Sequence, residues 1–149
     1  MHASDVSEGA LRVARNNAAA HGVAARIRFA AGDLFQPHRA TGLEGAVDFI
    51  LANPPYLGDA DVTRSMPEVR DFEPRSALAA GPDGLAVHRR LAREAGAFLK
   101  TGGHLIAEIG IGQHAALRAL YTDHPGLEVV AIEPDLAGIP RVLIARSRP

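Results

Sequence analysis

The sequence has no cysteine, no tryptophan, only two tyrosines, and no excess of charge of either sign. Without cysteine there can be no disulfide and no thiolate metal site, which fits a reducing compartment and makes cytoplasm the expected location. The seven histidines, at positions 2, 21, 38, 88, 104, 114 and 124, show no HExxH or other metal-binding spacing, so they read as solvated or core residues. Sixteen basic and seventeen acidic side chains leave a formal net charge of −1 and a pI near 6.6. That balance gives no general attraction to nucleic acid or to an anionic membrane. No apolar run approaches the roughly 18 residues that a membrane span needs, and the amino terminus lacks the charged-then-apolar pattern of a signal peptide. What remains is a chain of 149 residues, long enough for one domain that buries about 70% of its unfolded surface.

The most informative stretch is Ala46 to Tyr56. Val47, Phe49, Ile50 and Leu51 form an almost unbroken apolar run, as expected of a parallel strand buried on both faces. The run ends in Asn53-Pro54-Pro55-Tyr56. Two consecutive prolines supply no N–H and fix φ near −65°, so the ladder stops at Asn53. Proline also keeps the residue before it extended, which would project the Asn53 side chain and the Pro54 carbonyl from a stiff platform. Both can accept a hydrogen bond from one NH₂ group. A planar, conjugated NH₂ is a poor nucleophile because its lone pair is delocalised. Two fixed acceptors would orient it and stabilise the charge that develops as a bond forms. Tyr56 adds a flat face for a planar amide or base. This pattern points to methyl transfer onto a conjugated nitrogen; the plainer alternative is a turn that merely closes a strand.

Along the chain, Met1 to Asp5 reads as the end of a strand. Ser7 can cap a helix to about His21, with Ala10, Leu11, Ala14 and Ala18 on one face and Gly22 as its stop. Arg26 to Ala31 alternates like a strand with one exposed face and ends at Gly32-Asp33-Leu34-Phe35. Leu57 to Pro82 has little periodicity and suggests a substrate-facing loop with room for a turn of helix. Asp83 can cap a helix over about Gly84 to Lys100, with Val87, Leu91, Ala95, Phe98 and Leu99 as its apolar face. Gly102-Gly103 reads as a turn, His104 to Gly110 as a strand, and Gln113 to Asp123 as a helix. Within that strand, Glu108 is either a site residue or an outward-facing side chain. Leu127 to Glu133 and Arg141 to Arg146 read as strands whose linker is too short for a parallel crossover, so they should pair as an antiparallel hairpin.

The expected fold class is α/β, an open and mostly parallel Rossmann-like sheet with a carboxy-terminal antiparallel hairpin, forming one domain over residues 1–149. Ligands of such sheets bind beyond the carboxyl ends of the strands, and Asp5, Asp33 and Asn53 each follow a successive strand, so all three are expected along one edge. An acidic residue in that place can accept both hydroxyls of a ribose, which suits Asp5. Asp33 could accept from an adenine amino group with Leu34 packed on the ring, or it could simply close the strand as an Asx turn.

These residues resemble a known family, the PrmC or HemK protein-glutamine methyltransferases that use S-adenosylmethionine. The likeness is carried by Asp5-Val6-Ser7 with Ala10-Leu11 and Asn16-Asn17, by Gly32 to Phe35 and by Asn53 to Tyr56. It continues through Glu68-Val69-Arg70, Phe72 to Arg75, Ala77-Leu78, Gly81 to Leu85 and Lys100 to Gly103, and ends with Asp135 to Gly138 and Arg141-Val142. The tetrapeptide is shared with adenine and guanine N-methyltransferases, whereas the Phe-Glu-Pro and Gly-Pro-Asp-Gly-Leu segments resemble the glutamine branch. The resemblance implies a glutamine amide in the Gly-Gly-Gln loop of a peptide-chain release factor as acceptor, gripped by Asn53, Pro54, Pro55 and Tyr56. It implies that S-adenosylmethionine is bound through Asp5 and Val6 at the ribose, through Asp33 and Leu34 at the adenine, and near Asn53. Members of the family also carry an amino-terminal helical domain, a first strand and a Gly-rich loop that this sequence lacks, so the chain reads as amino-terminally truncated. The absent strand is central in the family's sheet, and an exposed edge in its place would invite pairing with another chain. Two other readings stand beside this one: an N-methyltransferase acting on an exocyclic amino group of adenine or guanine, and a non-catalytic fragment of the fold.

Overall fold

The structure is a computed structural model that describes all of residues 1–149. The chain divides into two compact units, Met1–Glu44 and Gly45–Pro149. The first is a βαβ unit: strand β1 (His2–Asp5), helix α1 (Glu8–Ala20) and strand β2 (Arg28–Ala31), the two strands parallel with His2 opposite Arg28 and Asp5 opposite Ala31. Helix α1 begins where its sequence says it should. The Ser7 hydroxyl accepts from the Ala10 amide at 3.2 Å, and the chain leaves the helix through Gly22 at φ 67°. Its buried face is Leu11 and Ala18. Strand β2 starts two residues later than its alternation suggests, because Ala24–Arg26 winds into one 3₁₀ turn. Its exposed face is as expected, with Ile27 and Phe29 half-buried and Arg26 and Arg28 exposed.

The second unit holds strand β3 (Val47–Ala52), three short helices α2 (Asp59–Arg64), α3 (Pro67–Phe72) and α4 (Arg75–Leu78), then helix α5 (Ala86–Phe98), strand β4 (Leu99–Glu108), helix α6 (His114–Thr122) and strands β5 (Leu127–Pro134) and β6 (Pro140–Ser147). Its sheet runs in the order β3-β4-β6-β5. Strands β3 and β4 are parallel, and β6 is antiparallel to both β4 and β5. Three of its four strands therefore share one direction and the carboxy-terminal hairpin supplies the exception, as the sequence predicts. The five-residue connection from Asp135 to Ile139 is closed by the Asp135 side chain, whose Oδ1 accepts from the amides of Ala137 and Ile139 at 2.9 and 3.0 Å.

Three expectations are corrected. Strand β3 is not buried on both faces: Phe49 is 63% and Leu51 73% exposed. It forms an edge of its sheet with β4 as its one ladder partner, and an apolar run cannot tell an edge strand from a central one. The segment after Tyr56 is not a loop with a turn of helix but three short helices, two of which start at a proline, Pro67 at the first position of α3 and Pro74 capping α4. Each is too short to show a helical period, which is why pattern reading missed them. Gly102-Gly103 is not a turn between elements. It lies inside β4, where the pairing with β3 slips between Val47 and Phe49. Gly102 has φ 79°, and a Cβ on Gly103 would lie 2.9 Å from the Val47 carbonyl oxygen, so a bulge with close backbone approach needs glycine there.

The core of the second unit is built from Leu91, Ala95 and Phe98 of α5, Leu105 and Ala107 of β4, Leu117 and Tyr121 of α6, and Leu127 and Leu143 of the hairpin. Among these apolar side chains sits His88, fully buried. No helix is long and apolar enough to cross a membrane.

Candidate functional site

The carboxyl ends of the strands in both units carry the residues singled out from the sequence. In the first unit, the parallel register puts Asp5 level with Ala31, and the Gly32 amide donates to the Asp5 carbonyl at 3.0 Å. The Asp33-Leu34 turn therefore follows directly beside the end of β1. Asp5 is exposed, and its Oδ1 accepts from the Ser7 amide at 2.7 Å. That short bond fixes the carboxylate at the strand end while its second oxygen takes no part in the turn. Val6 beside it is 61% exposed, an apolar side chain left on the surface. Asp33 and Leu34 are half-buried, and the Asp33 carbonyl accepts from Gln36 at 3.0 Å. Leu34 has φ 48°, a left-handed conformation uncommon for a residue of its size, and the Ser4 hydroxyl holds its carbonyl at 3.2 Å. A serine on β1 thus tethers the turn that follows β2.

In the second unit, β3 ends at Ala52 and Asn53 follows, exposed, with Pro54 buried beneath it and Pro55 and Tyr56 half-buried. The prolines stop the strand as expected, and the chain resumes pairing one residue after Tyr56, where the Leu57 amide donates to the Leu78 carbonyl and Ala80 donates back to Leu57, both at 2.9 Å. The three short helices are therefore a closed excursion whose two ends are pinned beside Tyr56.

Tyr56 itself is held by residues far away in the sequence. Gln113, just before α6, donates through Nε2 to the Tyr56 carbonyl at 2.8 Å while its Oε1 accepts from the Gly110 amide at 2.9 Å. Arg141 donates to the Tyr56 hydroxyl at 3.3 Å, and its guanidinium carbon lies 5.4 Å from the centre of the ring. The same guanidinium bonds Glu108 Oε1 at 3.1 Å and the Ile109 carbonyl at 3.0 Å. The Tyr56 hydroxyl, with the charges of Glu108 and Asp135 adding to it, pushes the Arg141 pKa further upward. Topology explains the meeting: Ala52 pairs with Ala107 and Glu108 with Val142, so the ends of β3 and β4 and the start of antiparallel β6 share one edge. Glu108 is thus a residue of this edge rather than an outward-facing side chain of no consequence.

Two glycines show how tightly this edge is packed. A Cβ at Gly84, where φ is 72°, would lie 2.4 Å from the Tyr56 carbonyl oxygen, and one at Gly110 would lie 2.7 Å from Gln113 Oε1 and 3.1 Å from the Tyr56 ring. Behind the edge, the buried His88 fixes the end of β4. Its Nε2 is 3.1 Å from the Glu108 carbonyl and its Nδ1 is 3.1 Å from the Tyr121 hydroxyl. A carbonyl can only accept, so Nε2 carries the proton and Nδ1 accepts from the tyrosine. Burial pushes the His88 pKa down to about 4 and the Tyr121 hydroxyl up, so both stay neutral. At the start of α5, Asp83 is drawn down to about 2, first by the Arg89 guanidinium and then by the Leu85 amide it accepts from.

The structure therefore places Asp5, Val6, Asp33 and Leu34 at the strand ends of the first unit and Asn53, Pro54, Pro55 and Tyr56 at those of the second. Sequence reasoning missed Gln113 and His88 and gave Arg141 no role beyond its place in a matched pair. The one signal for Arg141 was topological: an antiparallel last strand must begin where the parallel strands end.

No family model matches the chain. The curated release factor glutamine methyltransferase of Cereibacter sphaeroides is 43% identical over 144 residues, covering 97% of this chain and 50% of that protein. The enzyme of the same name from Nitratidesulfovibrio vulgaris is 42% identical over 147 residues, 97% of this chain and 48% of its own length. By sequence, this chain is kin to the release factor glutamine methyltransferases. It spans about half the length of the curated relatives it matches. The crystal structure of a methyltransferase from Pyrococcus furiosus superposes with a TM-score of 0.67 at 18% identity, covering 99% of this chain and 62% of that one. At that identity the likeness speaks for the fold alone, and it agrees with the Rossmann-like methyltransferase architecture expected from the sequence. The family resemblance read from the sequence is thus borne out, by a likeness that runs over 97% of the chain.

Proposed function

We propose that this chain carries the catalytic residues of an S-adenosylmethionine-dependent transfer of a methyl group to a side-chain amide nitrogen, the acceptor being a glutamine of a peptide-chain release factor. The observation that carries the reading is the exposed Asn53 at the end of β3, followed by a Pro-Pro turn whose Tyr56 is fixed at its carbonyl, hydroxyl and ring. A flat NH₂ group needs two acceptors and a flat platform, and Asn53 Oδ1, the Pro54 carbonyl and Tyr56 can supply them. The cofactor, when bound, supplies an electrophilic methyl on a sulfonium. Asp5 suits its ribose because the turn with Ser7 holds one carboxylate oxygen in place and leaves the other uncommitted to that turn. Val6 offers apolar surface beside it, and Asp33 with Leu34 would meet the base. During transfer, Asn53 and the Pro54 carbonyl orient the amide nitrogen and take up the charge that develops on its N–H groups. The surplus proton is then lost to water.

The competing acceptor for the same tetrapeptide is a nucleobase amino group. A formal net charge of −1 provides no electrostatic steering to a polyanion, which favours the protein amide. The test is methyl transfer from labelled S-adenosylmethionine by the 149-residue chain, with release factor, release factor whose Gly-Gly-Gln glutamine is replaced by alanine, and duplex DNA as three acceptors. Label should enter the first alone. Label in DNA, or none in any acceptor while calorimetry shows the cofactor bound, would overturn the reading.

A further inference from the structure

We propose that Arg141 and Gln113 are positioning residues that present one face of Tyr56 to the acceptor; this rests on the reading of Asn53 to Tyr56 as the acceptor clamp. A tyrosine after two prolines still has two free side-chain torsions, so the prolines alone cannot aim its ring. Here the chain adds three constraints from outside the tetrapeptide. Gln113 bridges the Gly110 amide and the Tyr56 carbonyl, which fixes the backbone of the turn. Arg141 takes the hydroxyl at 3.3 Å and lies over the ring at 5.4 Å from its centre, which fixes the side chain and occupies one of its faces. Gly110 lies against the ring, where a Cβ would stand 3.1 Å from Cδ2. A planar amide stacking on Tyr56 must use the face that Arg141 does not cover.

Arg141 can do this because it is itself over-determined. Glu108 and the Ile109 carbonyl bind its two terminal nitrogens, and Asp135 approaches its Nε at 4.0 Å. Asp135 also closes the hairpin turn, so the residue that sets the direction of β6 sets the position of the guanidinium. A planar five-donor fork can meet the hydroxyl, the carboxylate and the carbonyl together, whereas the three donors of a lysine ammonium radiate from one point and cannot span them.

The composition supplies a direct readout. The chain has two tyrosines and no tryptophan. Uniform labelling with 3-fluorotyrosine gives two ¹⁹F resonances, assigned with Tyr121→Phe. In Arg141→Met and Gln113→Leu the Tyr56 resonance should shift and broaden while that of Tyr121 stays put, with Arg141→Lys intermediate. In the methyl transfer assay, the same variants should lower kcat on release factor by about tenfold to a hundredfold, with the cofactor Kd unchanged. If either variant is too unstable to study, the lysine variant and the other single variant carry the test. An unmoved Tyr56 resonance in all three, or unchanged kcat in all three with an active wild type, overturns the proposal. An inactive wild type whose Tyr56 resonance still moves in the variants upholds the positioning role and rejects the acceptor reading instead.

Discussion

The two units of this chain hold their candidate site residues by opposite means. In Met1–Glu44 the carboxylate of Asp5 is fixed by an amide two residues away, and the buried apolar side chains are Leu11, Ala18 and Phe35 alone. In Gly45–Pro149 the ring of Tyr56 is fixed by Arg141, 85 residues on, and the edge it belongs to is backed by a core that includes Leu91, Leu105, Leu117, Tyr121 and Leu143. A two-stranded sheet with one helix has little to bury and gains little stability by itself. The difference teaches that a carboxylate can be fixed by a local turn alone, whereas aiming an aromatic ring needs a folded core behind it.

The sharpest way to break that contrast is to open a cavity in each unit. Leu117→Ala, at a fully buried position, should lower global stability in urea by about 2–5 kcal/mol. Leu11→Ala removes the same atoms from the first unit. Native-state hydrogen exchange should show its effect confined to the amides of α1, β1 and β2, which should already be the least protected in the wild type. Equal losses of protection throughout the chain in both variants would show that the units unfold together and that the contrast is false.

Acid tests chiefly the second unit, through the fully buried His88; in the first unit, burial and the nearby His2 also lower the pKa of His38, a change of the same sign. The pKa of His88 is lowered from 6.5 to about 4 in the folded state, so between those values the unfolded chain binds a proton that the folded chain does not. Stability should therefore be full above about pH 6.5 and fall as the pH drops towards 4, by up to roughly 3 kcal/mol. Urea melts across that range measure the slope, and His88→Phe should remove most of it, leaving the part due to His38, while lowering stability at neutral pH, because the Tyr121 hydroxyl and the Glu108 carbonyl lose their partner. A slope left undiminished in the variant would move the switch elsewhere.

What could be read from the sequence follows the same division. Ser7 announces α1, the Pro-Pro pair ends β3, and the short linker from Pro134 to Pro140 forces a hairpin, because each is a local rule of backbone geometry. Asp5 and Asp33 were legible as strand-end acids for the same reason. His88 was not, since a histidine on the apolar stripe of α5 looks like any other until Tyr121 and the Glu108 carbonyl are seen to satisfy it. Nor was the bond between Gln113 and Tyr56, whose partners are 57 residues apart with no pattern linking them. Phe49 and Leu51 read as core and are exposed, because composition does not say which neighbours a strand has.

A smaller effect comes from Gly84. An alanine there must adopt φ near 72° and places Cβ 2.4 Å from the Tyr56 carbonyl oxygen and 2.7 Å from Gln113 Nε2. The expected cost is about 1–3 kcal/mol, and the Tyr56 ¹⁹F resonance should move with it. By contrast Gly22→Ala, at φ 67° with open space around it, should cost about 1 kcal/mol from backbone strain and leave that resonance untouched. If both behave alike, the packing around Tyr56 is looser than the contacts say.

The smallest change in stability belongs to the first unit, and it separates its two roles. In Asp5→Asn the amide oxygen can still accept from Ser7, so the turn and the cap of α1 survive, and stability should change by no more than about 0.5 kcal/mol. What is lost is the charge that makes a ribose hydroxyl a strong donor. A hydrogen bond to a charged group is worth about 1.5–3 kcal/mol, so calorimetry should show S-adenosylmethionine binding weakened by roughly tenfold to a hundredfold. Were Asp5 only a turn residue, affinity would hold within a factor of about two while Asp5→Ala, which removes the turn, lowered stability by about 1 kcal/mol. The carboxylate would then serve the helix and not the ligand, and the first unit would have to hold the cofactor through the Asp33-Leu34 turn, which Ser4 already tethers to β1.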